Sequence, residues 1–165
     1  MARRPGPSLS TDDVIRAAMR VVERDGPENL GIRQVADELG IQSSSVYHHL
    51  DGLERLRQAT AVAGWAQLVG SFPEPAETPA ATLRALAESY RAFVRAKPGL
   101  YRLMASVPFS PEDPALLAIT ARMADIVGHL GLQPVEAIHA IRGLRAAVHG
   151  FVDLESAGQF RLAVP

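Results

Sequence analysis

The chain has 165 residues, nearly half of them apolar, a formal net charge of −1 and no cysteine. This composition argues against global disorder and suits one compact body, or a small head and a larger body. The missing thiols exclude disulfides, thiolate zinc sites and cysteine nucleophiles, which fits a cytoplasmic protein. The chain opens with no signal-peptide-like run, and no stretch of about 18 apolar residues is present to cross a membrane.

Ser10-Thr11-Asp12-Asp13 predicts a helix start, because Ser10 can cap and Asp13 can answer it three residues on. Val14, Ala17, Ala18, Val21 and Val22 then follow the spacing of one buried helical face. Asp25-Gly26-Pro27 predicts its end. A second helix is predicted over Ile32 to Leu39, with Ile32, Val35, Ala36 and Leu39 inward and Gly40 breaking it. Ser43-Ser44-Ser45 opens a short third helix reaching about His49. After Asp51-Gly52 a fourth runs from about Leu53 to Val69, and the Pro-rich stretch Phe72 to Pro79 reads as loop. Beyond it, helices are predicted over Ala80 to Lys97, Leu100 to Ser106 and Ala115 to Leu130, with loop from Val107 to Pro114. A last helix runs from just after Pro134 to about Ala157. No strand alternation and no internal repeat is found, so the fold class is all-α.

A helix-turn-helix needs a small residue where its two helices meet, a glycine in the tight turn and apolar locks on either side. Ala36, Gly40 and the set Val35, Leu39, Ile41 and Val46 meet those needs. Bulk charge lends no support to nucleic-acid binding, with eight arginines against nine acids up to residue 58 and nine cations against nine acids beyond it. The case rests on local placement.

The run GIRQVADELGIQSSSVYHHLDGLERL, Gly31 to Leu56, closely resembles the helix-turn-helix of TetR-type transcription regulators, and the resemblance extends over about Thr11 to Ala61. It implies a DNA-binding head of three helices over residues 1–58, with an arm over 1–9. A helical ligand-binding and dimerisation bundle follows over 59–165. Carried over position by position, Arg33 can reach a base edge or a phosphate. Gln42, Ser43, Ser44, Ser45 and His48 lie on or beside the recognition helix, and Tyr47 and His49 match positions that hold phosphates. Arg3 and Arg4 precede the first helix on an arm able to enter a minor groove. Each has a plainer reading. Tyr47 can be a half-buried staple between helices, His48-His49 a solvated helix end, and Arg3-Arg4 an unstructured arm. The sequence departs from the family pattern at Leu53, where lysine or arginine is common, and at Gly31, where serine or threonine caps the second helix.

The second part shows no catalytic logic. His129, His139 and His149 are ten residues apart, which turns a helix by about 280° net, so neighbours do not share a face. No helical metal pair exists, and neither a metal nor a cofactor is expected. His149 and Asp153 sit at i, i+4 and can pair. The segment LRAAVHGFVDLESAGQF, Leu144 to Phe160, resembles the C-terminal domain of one TetR branch marked by a His-Gly pair, here His149-Gly150. Pocket candidates on inward-looking positions are Phe93, Tyr101, Met104, Met123, Val127 and His149, although residues such as Phe93, Tyr101, Met104, Phe109, Met123 and Phe151 are more often core than pocket. Relatives generally continue with another helix. This chain stops at Val164-Pro165, which leaves either a chain cut short or a reduced pairing surface with weaker dimers.

The resemblance implies a non-enzymatic, ligand-responsive repressor. Its partners are a double-stranded palindromic operator, a small and largely apolar effector, and a second copy of itself. The rival reading is a helical interaction or adaptor protein that keeps the fold without reading DNA.

Overall fold

The computed structural model describes residues 9–108 and 114–160, apart from the side chains of 114–116 and 134. Among them are eight α-helices and no strand: α1 Thr11–Asp25, α2 Ile32–Leu39, α3 Ser43–Tyr47, α4 Gly52–Gly70, α5 Pro79–Ala96, α6 Pro98–Ser106, α7 Pro114–Gly128 and α8 Pro134–Ser156. A 3-10 turn, Pro27–Asn29, follows α1 and was not foreseen from the sequence. The described residues form two compact units, 9–65 with 97–108, and 66–96 with 114–160.

In the first unit α1 opens on the reciprocal cap its sequence predicts. The Asp13 backbone N–H donates to Ser10 Oγ at 3.1 Å, and the Ser10 backbone N–H donates to the Asp13 carboxylate at 2.9 Å. The Ser10 hydroxyl and amide and the Arg16 guanidinium all donate to Asp13, which holds its carboxyl down to about 2. Gly26 ends the helix at φ 89°, donating its N–H to Val22 O, a backbone state that suits glycine. Val14, Ala17, Ala18, Val21 and Val22 turn inward with Leu30, Val35, Ala36, Val46, Leu56, Ala61, Leu103 and Val107 to make one apolar core.

Helix α6 belongs to this unit because it lies on α1. A Cβ on Gly99 would stand 2.4 Å from Val22 O, so the two backbones meet at a glycine. The Leu100 N–H then donates to the Glu23 carboxylate, which satisfies one of the orphan donors of the α6 first turn. Packing thus joins 97–108 to the head, whereas a linear division at residue 58 assigns them to the body.

In the second unit α8 packs on α7 and α5. Glu155 of α8 receives both the Nε and an Nη donor of Arg91 on α5, a fork-shaped pairing. That guanidinium holds the Glu155 carboxyl below its ordinary value. Ile126, Val127, Ala137, Val148 and Val152 are buried.

Candidate nucleic-acid interface

Helix α2 begins at Gly31, whose backbone is extended and which offers no side-chain cap. The helix ends at Gly40, left-handed at φ 67°, whose N–H donates to the carbonyls of Ala36 and Asp37. A Cβ there would meet nothing within 4 Å, so the demand for glycine is conformational rather than spatial. Ile41 N–H continues the wrap with a 3.0 Å bond to Ala36 O. These bonds fix the angle at which α3 leaves α2.

Helix α3 is anchored by Val46, which is fully buried in the core. It is shorter than the sequence predicts and ends at Tyr47 rather than His49. His49 N–H and Leu50 N–H both turn back to Val46 O, which closes the helix and leads into Asp51-Gly52 and α4. His48 is the C-terminal cap and His49 lies in the turn behind it.

Around that anchor the polar side chains stand outward. Gln42, Ser44, Tyr47 and His48 are exposed, while Ser43, Ser45 and His49 are partly so. Tyr47 is 57% exposed. None of these seven has a side-chain hydrogen bond or ion pair within the described residues. Arg33 projects from α2 and stands 3.8 Å from Asp37, one turn on, with both side chains largely in solvent. Leu53, in the first turn of α4, is exposed as well. Arg3 and Arg4 lie outside the described residues, as does Phe109.

Other charges of the head pair with one another or with the backbone. Glu38 of α2 accepts from Arg20 at 2.7 Å and from Arg24 at 2.6 Å, both on α1, which clamps the two helices together. The two guanidinium donors hold the Glu38 carboxyl below its ordinary range. Arg57 of α4 donates to Pro27 O at 2.8 Å. The clamp is not legible in the sequence, because its partners are 14 and 18 residues apart. Only i, i+3 and i, i+4 pairs can be read from spacing.

The six pocket candidates are divided between the units. Tyr101 and Met104 are buried on α6 in the first unit. Phe93 of α5 and Val127 of α7 are buried in the second unit, where Met123 of α7 is partly exposed. His149 of α8 pairs with Asp153 at 3.3 Å, as its spacing predicts. Among the described residues no group of three or more potential metal ligands comes together, and no helix is long and apolar enough to cross a membrane.

Comparison with known proteins places these features in a family. Residues 14–59 match the bacterial regulatory proteins of the tetR family, and residues 83–165 match the tetracyclin repressor-like C-terminal domain. The uncharacterized HTH-type transcriptional regulator Rv0681 of Mycobacterium tuberculosis is 28% identical over 91% of this chain and 72% of its own. The HTH-type transcriptional repressor DrrR1 of Streptomyces coeruleorubidus is 28% identical over 85% of this chain and 51% of its own. A TetR variant from Acinetobacter baumannii, solved in complex with minocycline, superposes with a TM-score of 0.72 at 26% identity, covering 92% of this chain and 78% of that one. The chain therefore belongs to the TetR family of bacterial regulatory proteins, and it is a DNA-binding regulator of transcription.

Proposed function

We propose that the chain is a repressor working as a symmetric homodimer in the cytoplasm. Residues 1–58 would read DNA and residues 59–165 would sense a ligand and pair. The observation that carries this reading is the row from Gln42 to His49, polar side chains without partners among the described residues, ranged around one buried valine. Unpartnered hydroxyls, an amide and imidazoles suit phosphate oxygens and base edges. Two such helices would enter successive major grooves about 34–36 Å apart on a palindromic operator.

Repression is supported by the naming of the Streptomyces coeruleorubidus relative, and ligand response by the minocycline complex of the Acinetobacter protein. The effector of this chain would be small and largely apolar, favouring a head spacing that no longer fits the operator. Phe93, Met123, Val127 and His149, all of the second unit, are its candidate contacts. The His149-Gly150 pair supports a place in the TetR branch carrying that signature.

The test is a gel shift with the DNA upstream of the protein's own gene. A retarded band at low salt is expected. Tyr47→Ala should weaken binding to every sequence alike, because a phosphate contact carries no sequence information. Arg33→Ala or His48→Ala should also change the preferred base, by about 1–3 kcal/mol where a bidentate contact is lost. An unchanged affinity in Tyr47→Ala refutes the positional assignment. A second reading, a helical adaptor that does not read DNA, draws on exposed Leu53 and on the partnered arginines of the head. Equal affinity for the upstream duplex and its scrambled version would favour it.

A further inference from the structure

Binding a polyanion requires positive charge, and this head has little to spare. Between residues 9 and 58 there are six arginines, no lysine and nine carboxylates. All six arginines already have partners. Arg16 pairs with Asp13, Arg20 with Glu38, Arg24 with Asp25 and Glu38, and Arg33 with Asp37. Arg55 donates to Gln58 Oε1 at 2.9 Å and Arg57 to Pro27 O. An exposed pair such as Arg33–Asp37 is weak and can open to a phosphate. Opening it leaves the Asp37 carboxylate behind, so the balance of charge on the face does not change.

Two groups can change that balance. His48 and His49 close the recognition helix, and neither imidazole has a hydrogen bond or an ion pair within the described residues. The charged groups on the elements around them are Arg33, Asp37 and Glu38 of α2, Asp51 of the turn, and Glu54, Arg55 and Arg57 of α4, with Arg20 and Arg24 of α1 behind Glu38. None comes within 4.0 Å of either imidazole as an ion pair. Asp51 and Glu54 are exposed and have no cation partner within the described residues, so neutral imidazoles would leave the residues just after α3 with uncompensated acid.

We infer that His48 and His49 supply the head's adjustable positive charge on its DNA face as imidazolium ions, His49 against phosphate and His48 beside the base edge it reads, so that binding DNA takes up protons and the affinity is set by pH. The inference rests on the reading of α2 and α3 as the DNA-facing elements. Imidazole changes charge between about pH 5 and 8, and a neighbouring phosphate favours its charged form. Bound protein therefore carries more protons than free protein, and affinity falls as pH rises. Repression would relax in alkaline cytoplasm and tighten on acidification.

Fluorescence anisotropy of the full chain on a labelled duplex from upstream of its gene, with a mixed-sequence duplex in parallel, tests this at fixed salt between about pH 6 and 8. Affinity for both duplexes should fall by about tenfold for each imidazole across that range. The double variant His48→Gln/His49→Gln should bind weakly with a flat pH profile. The double variant His48→Arg/His49→Arg should bind tightly with a flat profile and retain the steep salt dependence of the acid form, about 0.9 in logarithmic slope per phosphate held. Both variants keep His129, His139 and His149, so a flattened profile assigns the effect to the head. Affinity of the natural chain that is equal at all pH values overturns the proposal and transfers the charge to Arg3 and Arg4. Absence of binding at every pH overturns the DNA-facing reading itself, and the inference with it.

Discussion

Gly99 and Gly64 both lie where helices of the first unit come together, yet a methyl group would meet different neighbours at each. At Gly99 it would meet the backbone, Val22 O at 2.4 Å and Glu23 Cα at 3.0 Å. Main chain inside a helix cannot step aside without moving α1 against α6. Gly99→Ala should therefore destabilise the protein by about 1–3 kcal/mol, the usual range for overpacking. At Gly64 the nearest atoms are Met104 Sδ at 2.7 Å and Cγ at 2.9 Å, the end of a flexible side chain. Alanine there also gains about 1 kcal/mol of helix propensity, which offsets the crowding. Urea unfolding should show a clearly lowered midpoint for Gly99→Ala and a small change for Gly64→Ala. Equal losses would mean that the two contacts do not differ as their neighbours suggest. Residues whose job is local could be read in advance. The Ser10–Asp13 cap and the His149–Asp153 pair follow from spacings of three and four. The need for glycine at residue 99 could not, because Val22 lies 77 positions earlier in the chain.

Among the elements, the clamp between α1 and α2 sets how the helix-turn-helix sits on the core. Glu38 is its centre, only 17% exposed and held by two arginines whose own side chains are more than half exposed. Its carboxyl is lowered from 4.5 by the Arg20 and Arg24 hydrogen bonds. A carboxylate with a depressed native value stabilises the fold above its unfolded value, and that gain is lost as pH falls through the native one. At neutral pH Glu38→Gln should therefore melt lower than the natural chain. The gap should close on acidification below about pH 4.5. A gap that is constant from neutral pH into acid would show that the charge of Glu38 contributes nothing. The helices themselves were legible, since periodicity and Gly/Pro punctuation predict each α-helix to within about two residues. Helix α6 shows where this stops. It starts at Pro98 rather than Leu100, proline being tolerated in a first turn that has no partners for its N–H groups. Its place against α1 depends on a contact between distant segments, which periodicity does not encode.

For the whole molecule, the reading of a symmetric regulator needs a surface on which a second copy can lie, and α8 offers one. Its buried face carries Ala137, Val148 and Val152. Ala140, Gly143, Ala147, Phe151 and Leu154 recur at steps of three and four along another face, on which Gly143, Ala147, Phe151 and Leu154 are exposed. A Cβ on Gly143 or Gly150 would meet nothing within 4 Å. Two helices approach closely when small residues line their contact, so glycine in mid-helix, costing about 1 kcal/mol against alanine, has a use there only if something lies on it. Gly143→Arg separates the two roles of this face. Within one protomer the side chain enters open space, and replacing glycine favours the helix, so a folded monomer should be as stable as before or more so. Across a pair of α8 helices it sets two guanidinium groups against each other at a close seam. Sedimentation should show the natural chain as a dimer and Gly143→Arg with a dissociation constant raised by at least about tenfold, on the order of 1.4 kcal/mol. Operator affinity should fall with it, because a monomer holds only one half-site. A variant that sediments like the natural chain and binds DNA as tightly would remove this face of α8 from the pairing surface.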